Sequence, residues 1–194
     1  MDNLNSFFVS GWDHIVDLKA YDHLLFVITL CAAFKLSQWK QILIIVTAFT
    51  IGHSITLILC ALDLVPANSR MVETLIPFTI MITAISNVLD FKKKTRFSDT
   101  KIKYAIALVF GLIHGLAFAS GFKFMLFSES IIMPLFLFNV GIEVGQLFIV
   151  LLFMIALWFY SNIINGSHNK WNLFVSGAGF GIAVTLCING LLNG

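Results

Sequence analysis

The amino-acid sequence predicts an all-α integral membrane protein, built as a single bundle of about six transmembrane helices. Of its 194 residues, 59% are hydrophobic and 11% are charged, and the mean hydropathy is +0.94, which is far from the usage of soluble domains. The apolar residues also fall into tracts whose lengths suit helices crossing a bilayer, not the short alternating strands of a barrel. These tracts lie at about 21–36, 40–62, 71–91, 102–121, 130–160 and 171–192.

The basic residues predict which helix ends face the cytoplasm. Lys and Arg are enriched on the cytoplasmic side of membrane proteins, and an outside N-terminus gives nine of them inside and three outside. The inner set is Lys35, Lys40, Lys92, Lys93, Lys94, Arg96, Lys101, Lys103 and Lys170, and the outer set is Lys19, Arg70 and Lys123. Both termini are therefore predicted outside, in the periplasm, and residues 1–194 are predicted to form one polytopic domain.

Composition also excludes several classes of partner. A net charge of +2 is too small to indicate nucleic-acid binding, and no stretch resembles a nucleotide-binding loop. The cysteines Cys31, Cys60 and Cys187 lie inside apolar tracts without pairing spacing, which favours buried small residues over disulfides or metal ligands. Membrane lipids are the surroundings that the sequence predicts, with no nucleic acid and no nucleotide.

The first two helices carry polar residues that call for an explanation. A strongly polar side chain costs about 2.5–3.5 kcal/mol at a helix centre, yet the first tract opens on Asp22 and His23 in "KAYDHLLFVITL". Just upstream, "WDHIVDLKAYDH" adds His14 and Asp17. The second tract contains "TIGHSIT", with an imidazole and a hydroxyl at His53 and Ser54.

The later helices continue the pattern. The third tract has Glu73, and the fourth has "GLIHG", where His114 lies between Gly111 and Gly115. That four-residue spacing of small residues lets two helix backbones approach closely. In the sixth tract Gly177 and Gly181 repeat the spacing, which fits packing inside the bundle and a homo-oligomer equally well.

The fifth helix places three polar side chains on one face. Asn139, Glu143 and Gln146 in "FNVGIEVGQ" lie at i, i+4 and i+7, so they share a stripe that we expect to face the bundle. Counting about 1.5 Å per residue, we expect His53, His114 and Glu143 near the membrane centre. The same count places Asp22, His23 and Glu73, with His14 and Asp17, near the outer surface, and so predicts two separate clusters.

Imidazole and carboxylate together are typical ligands of divalent transition metals, with nickel or zinc favoured here over soft copper(I) because no thiolate pair is present. The predicted metal ligands are His14, Asp22, His23, His53, His114 and Glu143. The predicted accessory residues, which would orient those ligands, are Asp17, Ser54, Glu73, Asn139 and Gln146. No residue is assigned a catalytic role.

Four motifs resemble those of the HupE/UreJ family of bacterial membrane proteins: "DHIVDLKAYDHLLF", "FTIGHSITL", "FGLIHGLAFAS" and "FNVGIEVGQL". The resemblance implies a multi-pass protein of the bacterial inner membrane that handles nickel or another metal during hydrogenase and urease maturation. It points to His14, Asp22, His23 and His114 as metal-binding residues. The chain departs from the nickel-permease branch at Phe110 and Ala117, which replace a His and a Glu, and in having seven residues between His14 and Asp22 instead of five.

Three functions fit these residues. The first is a permease, in which the outer cluster captures a divalent cation and passes it toward the central one. The second is an intramembrane zinc hydrolase in which Asp22, His23, Ser54 and His114 act on a lipid amide or ester. The third is an accessory subunit that binds a metal without moving it, and the sequence leaves all three open.

Overall fold

The computed structural model describes residues 2–18, 21–66, 69–92, 100–125 and 131–193. Within these ranges the chain forms seven α-helices and one short 3-10 helix, Leu36–Gln38, and no strand. The α-helices are α1 (Asp2–Val16), α2 (Asp22–Cys31), α3 (Trp39–Ala61), α4 (Ser69–Lys92), α5 (Thr100–Met125), α6 (Ile132–Asn162) and α7 (His168–Asn193). The predicted all-helical class is confirmed.

Four helical segments of the described chain are long and apolar enough to cross a membrane. They are Leu36–Ala61, Thr100–Lys123, Ile132–Asn162 and His168–Leu192. Two further apolar helical stretches, Asp22–Cys31 and Thr74–Asp90, are shorter. A multi-pass membrane protein follows from these lengths, because a span of about 30 Å of hydrocarbon takes about 20 residues.

The N-terminal region differs from the prediction. The first apolar tract predicts one helix over residues 21–36, but α2 ends at Cys31 after 10 residues. A further helix, α1, precedes it over Asp2–Val16. Its polar residues keep it from standing out as an apolar tract, whereas its tertiary contact with α6 supplies the stability that composition alone does not show.

Helix α1 lies against the N-terminal half of α6 at a backbone-to-backbone contact. A Cβ atom added to Gly11 would overlap the carbonyl oxygen of Phe138, and one added to Gly141 would overlap the carbonyl oxygen of Phe8. A Cβ on Gly145 would meet the side chain of Ile15. Glycine on both helices is what permits this approach.

Helices α3 and α5 form a second close pair. A Cβ on Gly52 would overlap the carbonyl oxygen of Leu108, and one on Gly111 would overlap that of Phe49. The hydroxyl of Thr56 also donates to the carbonyl of Leu112 at 2.9 Å. The close contact predicted from the small residues of the fourth tract is therefore confirmed.

Helix α7 is joined to α2 and α4 by a buried amide network. The Asn87 side-chain amide donates to the carbonyl of Thr29 at 2.8 Å and to the hydroxyl of Ser176 at 3.2 Å. In return Asn172 donates to the carbonyl of Asn87 at 3.2 Å. Elsewhere on α7, a Cβ added to Gly177 would have no atom within 4 Å, so this glycine makes no close helix contact within the described part of the chain.

Candidate metal site

Four histidines from four different helices meet inside the bundle. His14 lies near the end of α1, His23 at the start of α2, and His53 and His114 within α3 and α5. The ring centroid of His23 is 4.4 Å from that of His14, 6.3 Å from that of His53 and 5.0 Å from that of His114. We call these four side chains the histidine group.

Asp22 fixes the tautomer of His23. The Nδ1 atom of His23 lies 3.0 Å from Oδ1 of Asp22, and an ionised carboxylate only accepts hydrogen bonds. Nδ1 of His23 is therefore the protonated nitrogen, and its Nε2 carries a free lone pair. A carboxylate behind an imidazole in this way is the arrangement that orients metal-bound histidines.

The hydrogen bonds of Thr79 determine which ring nitrogen of His114 carries the proton. The hydroxyl of Thr79 donates its one proton to the carbonyl of Ile76 at 2.7 Å, so it accepts from Nε2 of His114 at 3.1 Å. A neutral His114 then has its lone pair on Nδ1. The sequence offered no sign of Thr79, which lies in α4 shortly after Glu73 and Pro77 and is itself buried.

Five ring nitrogens of the group are buried and make no hydrogen bond. They are Nε2 of His14, Nε2 of His23, both nitrogens of His53 and Nδ1 of His114. Buried polar atoms in proteins nearly always have a partner, so five such atoms in one place are an exception that calls for a ligand.

The group has the size of a metal site. One nitrogen from each of His14, His23 and His53 can be chosen so that the three lie within 4.8 Å of one another. A tetrahedral ion with metal–nitrogen bonds of about 2.1 Å would bring its ligands to about 3.4 Å apart. The imidazoles of His14, His23 and His53 therefore fit a transition metal after the rings move inward by about 1 Å.

Aromatic rings contact the histidine group on both sides of His114 along α5. Phe118, one turn after His114, stacks on Phe138 at 5.0 Å and lies 4.0 Å from the His14 ring. In the opposite direction Phe26 and Phe49 lie 4.9 Å apart, and each is 5.0 Å from His114. The histidine group is thus enclosed by apolar surfaces, which strengthens electrostatic contacts within it.

Comparison with known proteins identifies the family. The HupE / UreJ protein family matches residues 1–189 of this chain. The chain belongs to the HupE/UreJ family. No curated protein and no solved structure matches it. The family is associated with nickel or metal accessory and transport functions.

Within this HupE/UreJ chain, the histidines form one group where two clusters were predicted. Depth along the tracts predicts His23 near the outer surface and His53 near the centre, but their ring centroids are 6.3 Å apart. The two predicted clusters coincide because α1 packs against the N-terminal half of α6. Helix α2 therefore begins beside the middle of α3 and α5. Depth counted from the start of an apolar tract does not detect such an arrangement.

The carboxylate predicted as a central ligand has other partners. Glu143 accepts hydrogen bonds from the hydroxyls of Thr47 at 2.6 Å and Thr50 at 2.5 Å. Gln146 lies beside Thr50, with 2.8 Å between Oε1 and Oγ1, while the amide of Asn139 donates to the carbonyl of Leu135. Two of the three predicted α6 residues, Glu143 and Gln146, thus meet the threonines of α3.

The other predicted accessory residues are Ser54, Asp17 and Glu73. The hydroxyl of Ser54 donates to the carbonyl of Thr50 at 2.7 Å. Asp17 is exposed just after the end of α1, where its backbone amide donates to the carbonyl of Asp13. The side chain of Glu73 lies outside the described residues.

Proposed function

We propose that this HupE/UreJ chain is a permease or binding protein for a divalent transition metal, held by the imidazoles of His14, His23, His53 and His114. Asp22 supports the site by orienting His23. The observation that carries the proposal is the set of buried ring nitrogens without hydrogen-bond partners. Leaving each one unpaired costs about 1–3 kcal/mol, and a bound cation would offset that cost.

The donor set narrows the class of ion. Four neutral imidazoles without a thiolate favour borderline metals such as nickel, cobalt or zinc over copper(I) or calcium. The HupE/UreJ family is associated with nickel or other metal handling, which makes nickel one of the ions to test. The ligand role predicted for Glu143 is not part of this proposal, because both of its carboxylate oxygens already accept threonine hydroxyls.

We further infer that α1 and α2 together make one interrupted pass through the membrane. Helix α1 packs along the N-terminal half of α6, and α2 packs against α4, α6 and α7. Each of the two helices is too short to cross the bilayer, but together they have the length of one span. With α3 to α7 this gives six passes in the bacterial inner membrane and both termini outside, which agrees with the distribution of basic residues. Half-helices that end near the midplane are a common way to build an ion site in transporters.

The proposal is tested by metal binding and metal flux on the same purified chain. Binding of Ni²⁺ and Zn²⁺ is measured in detergent by competition with a chelator, and uptake is measured in proteoliposomes. We expect about one ion per chain, and a loss of affinity in His23→Ala or His114→Ala that exceeds the about 10- to 100-fold contributed by partners that only orient a ligand. His168→Ala is the matched control, because His168 is at the start of α7 and contacts the carbonyl of Phe34. Wild-type affinity in both site variants would overturn the proposal.

The flux measurement separates transport from the other two functions. Metal uptake that is lost in the site variants supports a permease. A stoichiometric ion without uptake would leave a binding protein, and metal-dependent cleavage of a lipid amide or ester would instead establish the hydrolase.

A further inference from the structure

One face of α4 carries a row of polar side chains that begins beside the histidine group. Its members are three or four residues apart or adjacent, so they share one side of the helix. They are Thr79, Thr83, Ser86, Asn87 and Asp90, and we call them the α4 row. The row extends over about 16 Å of the helix axis, which is about half of the hydrocarbon thickness. It therefore runs from the middle of the bundle to the end of α4 that the basic residues assign to the cytoplasm.

The α4 row faces the inside of the bundle, and both of its ends contact α5. At one end the hydroxyl of Thr79 lies 3.1 Å from Nε2 of His114. At the other end Oδ2 of Asp90 lies 3.3 Å from Nζ of Lys103. Between them Thr83 is 6% exposed. A buried polar face that crosses half of an apolar bundle is typical of a path for ions.

A cavity of about 30 Å³ lies beside the middle of the α4 row. A polar cavity of this size has room for at least one water molecule. Along α2, Phe26 lies between His23 of the histidine group and Leu30 of the cavity wall, and its ring is 5.0 Å from that of His114. The cavity is lined by Thr83, Ser86 and Asn87 of the row together with Leu30, Phe34, Ile82, Lys103 and Ile106.

The middle of the α4 row presents acceptor oxygens. The hydroxyl of Thr83 donates its proton to the carbonyl of Thr79 at 2.8 Å, so only its lone pairs remain. Both amide protons of Asn87 are used, in bonds to the carbonyl of Thr29 and the hydroxyl of Ser176, which leaves its Oδ1 as an acceptor. Oxygen ligands suit nickel and zinc less well than imidazoles do. Such atoms would therefore let an ion pass without holding it tightly.

The last member of the row is held in an ion pair. The side chains of Lys103 and Asp90 are 19% and 11% exposed, and the Lys103 ammonium also lies 5.1 Å from the ring centroid of Phe34. The ammonium neutralises a carboxylate that would be costly unpaired in a membrane-spanning helix. Lys103 has a long flexible stem that reaches toward the interface when the ammonium leaves. A divalent cation carries charge of the same sign and suits the same carboxylate.

We propose that the α4 row is the route by which the metal ion leaves the histidine group, and that Asp90 is its last ligand after the ion displaces Lys103. The inference rests on the proposed permease function, to which it adds the direction of release and the residues that line the path. The ion moves from imidazole nitrogens to weaker oxygen ligands, and Phe26 must move aside for it to reach the cavity.

Ni²⁺ uptake into proteoliposomes, measured together with Ni²⁺ affinity in detergent, tests the route on the full chain. Asp90→Asn should lower uptake by about tenfold, because the ion then meets no opposite charge inside the bundle, and Thr83→Val should lower it by a smaller factor. Affinity should change by less than about twofold in both. The matched controls are Asp63→Asn, which breaks the exposed pair with Lys123, and Thr185→Val, an exposed threonine that also donates to its own helix.

The outcomes distinguish the route from the permease itself. Normal uptake in both Asp90→Asn and Thr83→Val would overturn the route and leave the permease standing. A wild type that binds Ni²⁺ without uptake would overturn both. Lys103→Met should raise uptake, because no ammonium then competes for Asp90. A loss of uptake in Lys103→Met as large as that in Asp90→Asn would show that the pair only joins α4 to α5, and would overturn the role assigned to Asp90.

Cysteine labelling tests for water along the row without relying on flux. A positively charged, water-soluble thiol reagent should modify Thr83→Cys at least about tenfold faster than Ile85→Cys, because thiols react as thiolates and apolar surroundings suppress that form. Ile85 is on the opposite face of α4 and is 47% exposed on the outside of the bundle. The wild type, whose cysteines Cys31, Cys60 and Cys187 are buried, gives the background. Equal rates for Thr83→Cys and Ile85→Cys in the presence of Ni²⁺ would overturn the proposal.

Discussion

Substitution of Asp22 should weaken metal binding, and Asp22→Ala should weaken it more than Asp22→Asn. The carboxylate makes two contacts with His23: Oδ1 is 3.0 Å from ring atom Nδ1 and 2.9 Å from the backbone nitrogen. The first contact holds the proton on Nδ1 and so presents Nε2 to the metal. Asp22→Asn keeps an acceptor oxygen but removes the charge, whereas Asp22→Ala removes both.

The size of each step follows from the surroundings of the two side chains. His23 is 4% exposed and Asp22 is 27% exposed, so water screens part of the carboxylate charge. Partners behind a metal-bound histidine contribute about 10- to 100-fold in affinity, and we expect Asp22→Asn at about tenfold, or about 1.4 kcal/mol. Asp22→Ala should approach 100-fold, or about 2.7 kcal/mol.

A competition titration with a chromophoric chelator measures these affinities in detergent. Asp63→Asn serves as the control, since Asp63 pairs with Lys123 and lies outside the histidine group. Equal affinities for wild type and Asp22→Ala would show that Asp22 does not orient a ligand, and the tautomer assigned to His23 would be wrong. A loss in Asp22→Asn as large as that in Asp22→Ala would show that the carboxylate charge alone accounts for the effect.

Three further outcomes are expected. Gly111→Ala should lower stability by about 1–3 kcal/mol, because its Cβ would overlap the α3 backbone. Gly177→Ala should be neutral in the same thermal unfolding assay, since its Cβ would meet open space, and equal effects would refute the assigned contact. Asn87→Ala should cost about 1–3 kcal/mol by leaving buried partners unpaired, whereas the exposed Asn162→Ala should cost less than about 0.5 kcal/mol. Metal affinity should fall once the solution is acidic enough to protonate the imidazoles, because protons compete with the ion for the ring nitrogens, and an affinity that stays constant down to the pH at which the protein unfolds would argue against histidine ligands.

The long helices were predictable because every span of a bilayer needs about 20 mostly apolar residues. The tract at about 40–62 became Trp39–Ala61, and the tract at about 130–160 became Ile132–Asn162. Histidine in an apolar helix is costly enough to mark a site by residue type alone. This is why His23, His53 and His114 could be selected without coordinates.

Relative placement was not predictable for a physical reason. Helix α1 has too few apolar residues to register as a span, and its position depends on glycines in α6 that lie far along the chain. The partners of Glu143 depend on how α3 and α6 are rotated about their axes. The spacing of polar residues along α6 alone does not determine that rotation. The sequence therefore indicated which residue types to expect at a site, and tertiary packing decided which of them meet.

The glycine contact between α1 and α6 also bears on the order in which the protein assembles. His14 is synthesised well before Gly141 and Gly145, which form part of the surface that holds its helix. At synthesis rates of about 5–20 residues per second, α1 waits roughly 10 s for that surface to be made. A truncated or partly inserted chain consequently lacks one of the four imidazoles. The proposed metal site would therefore form only in the finished protein, and unfinished copies in the membrane should not sequester the ion.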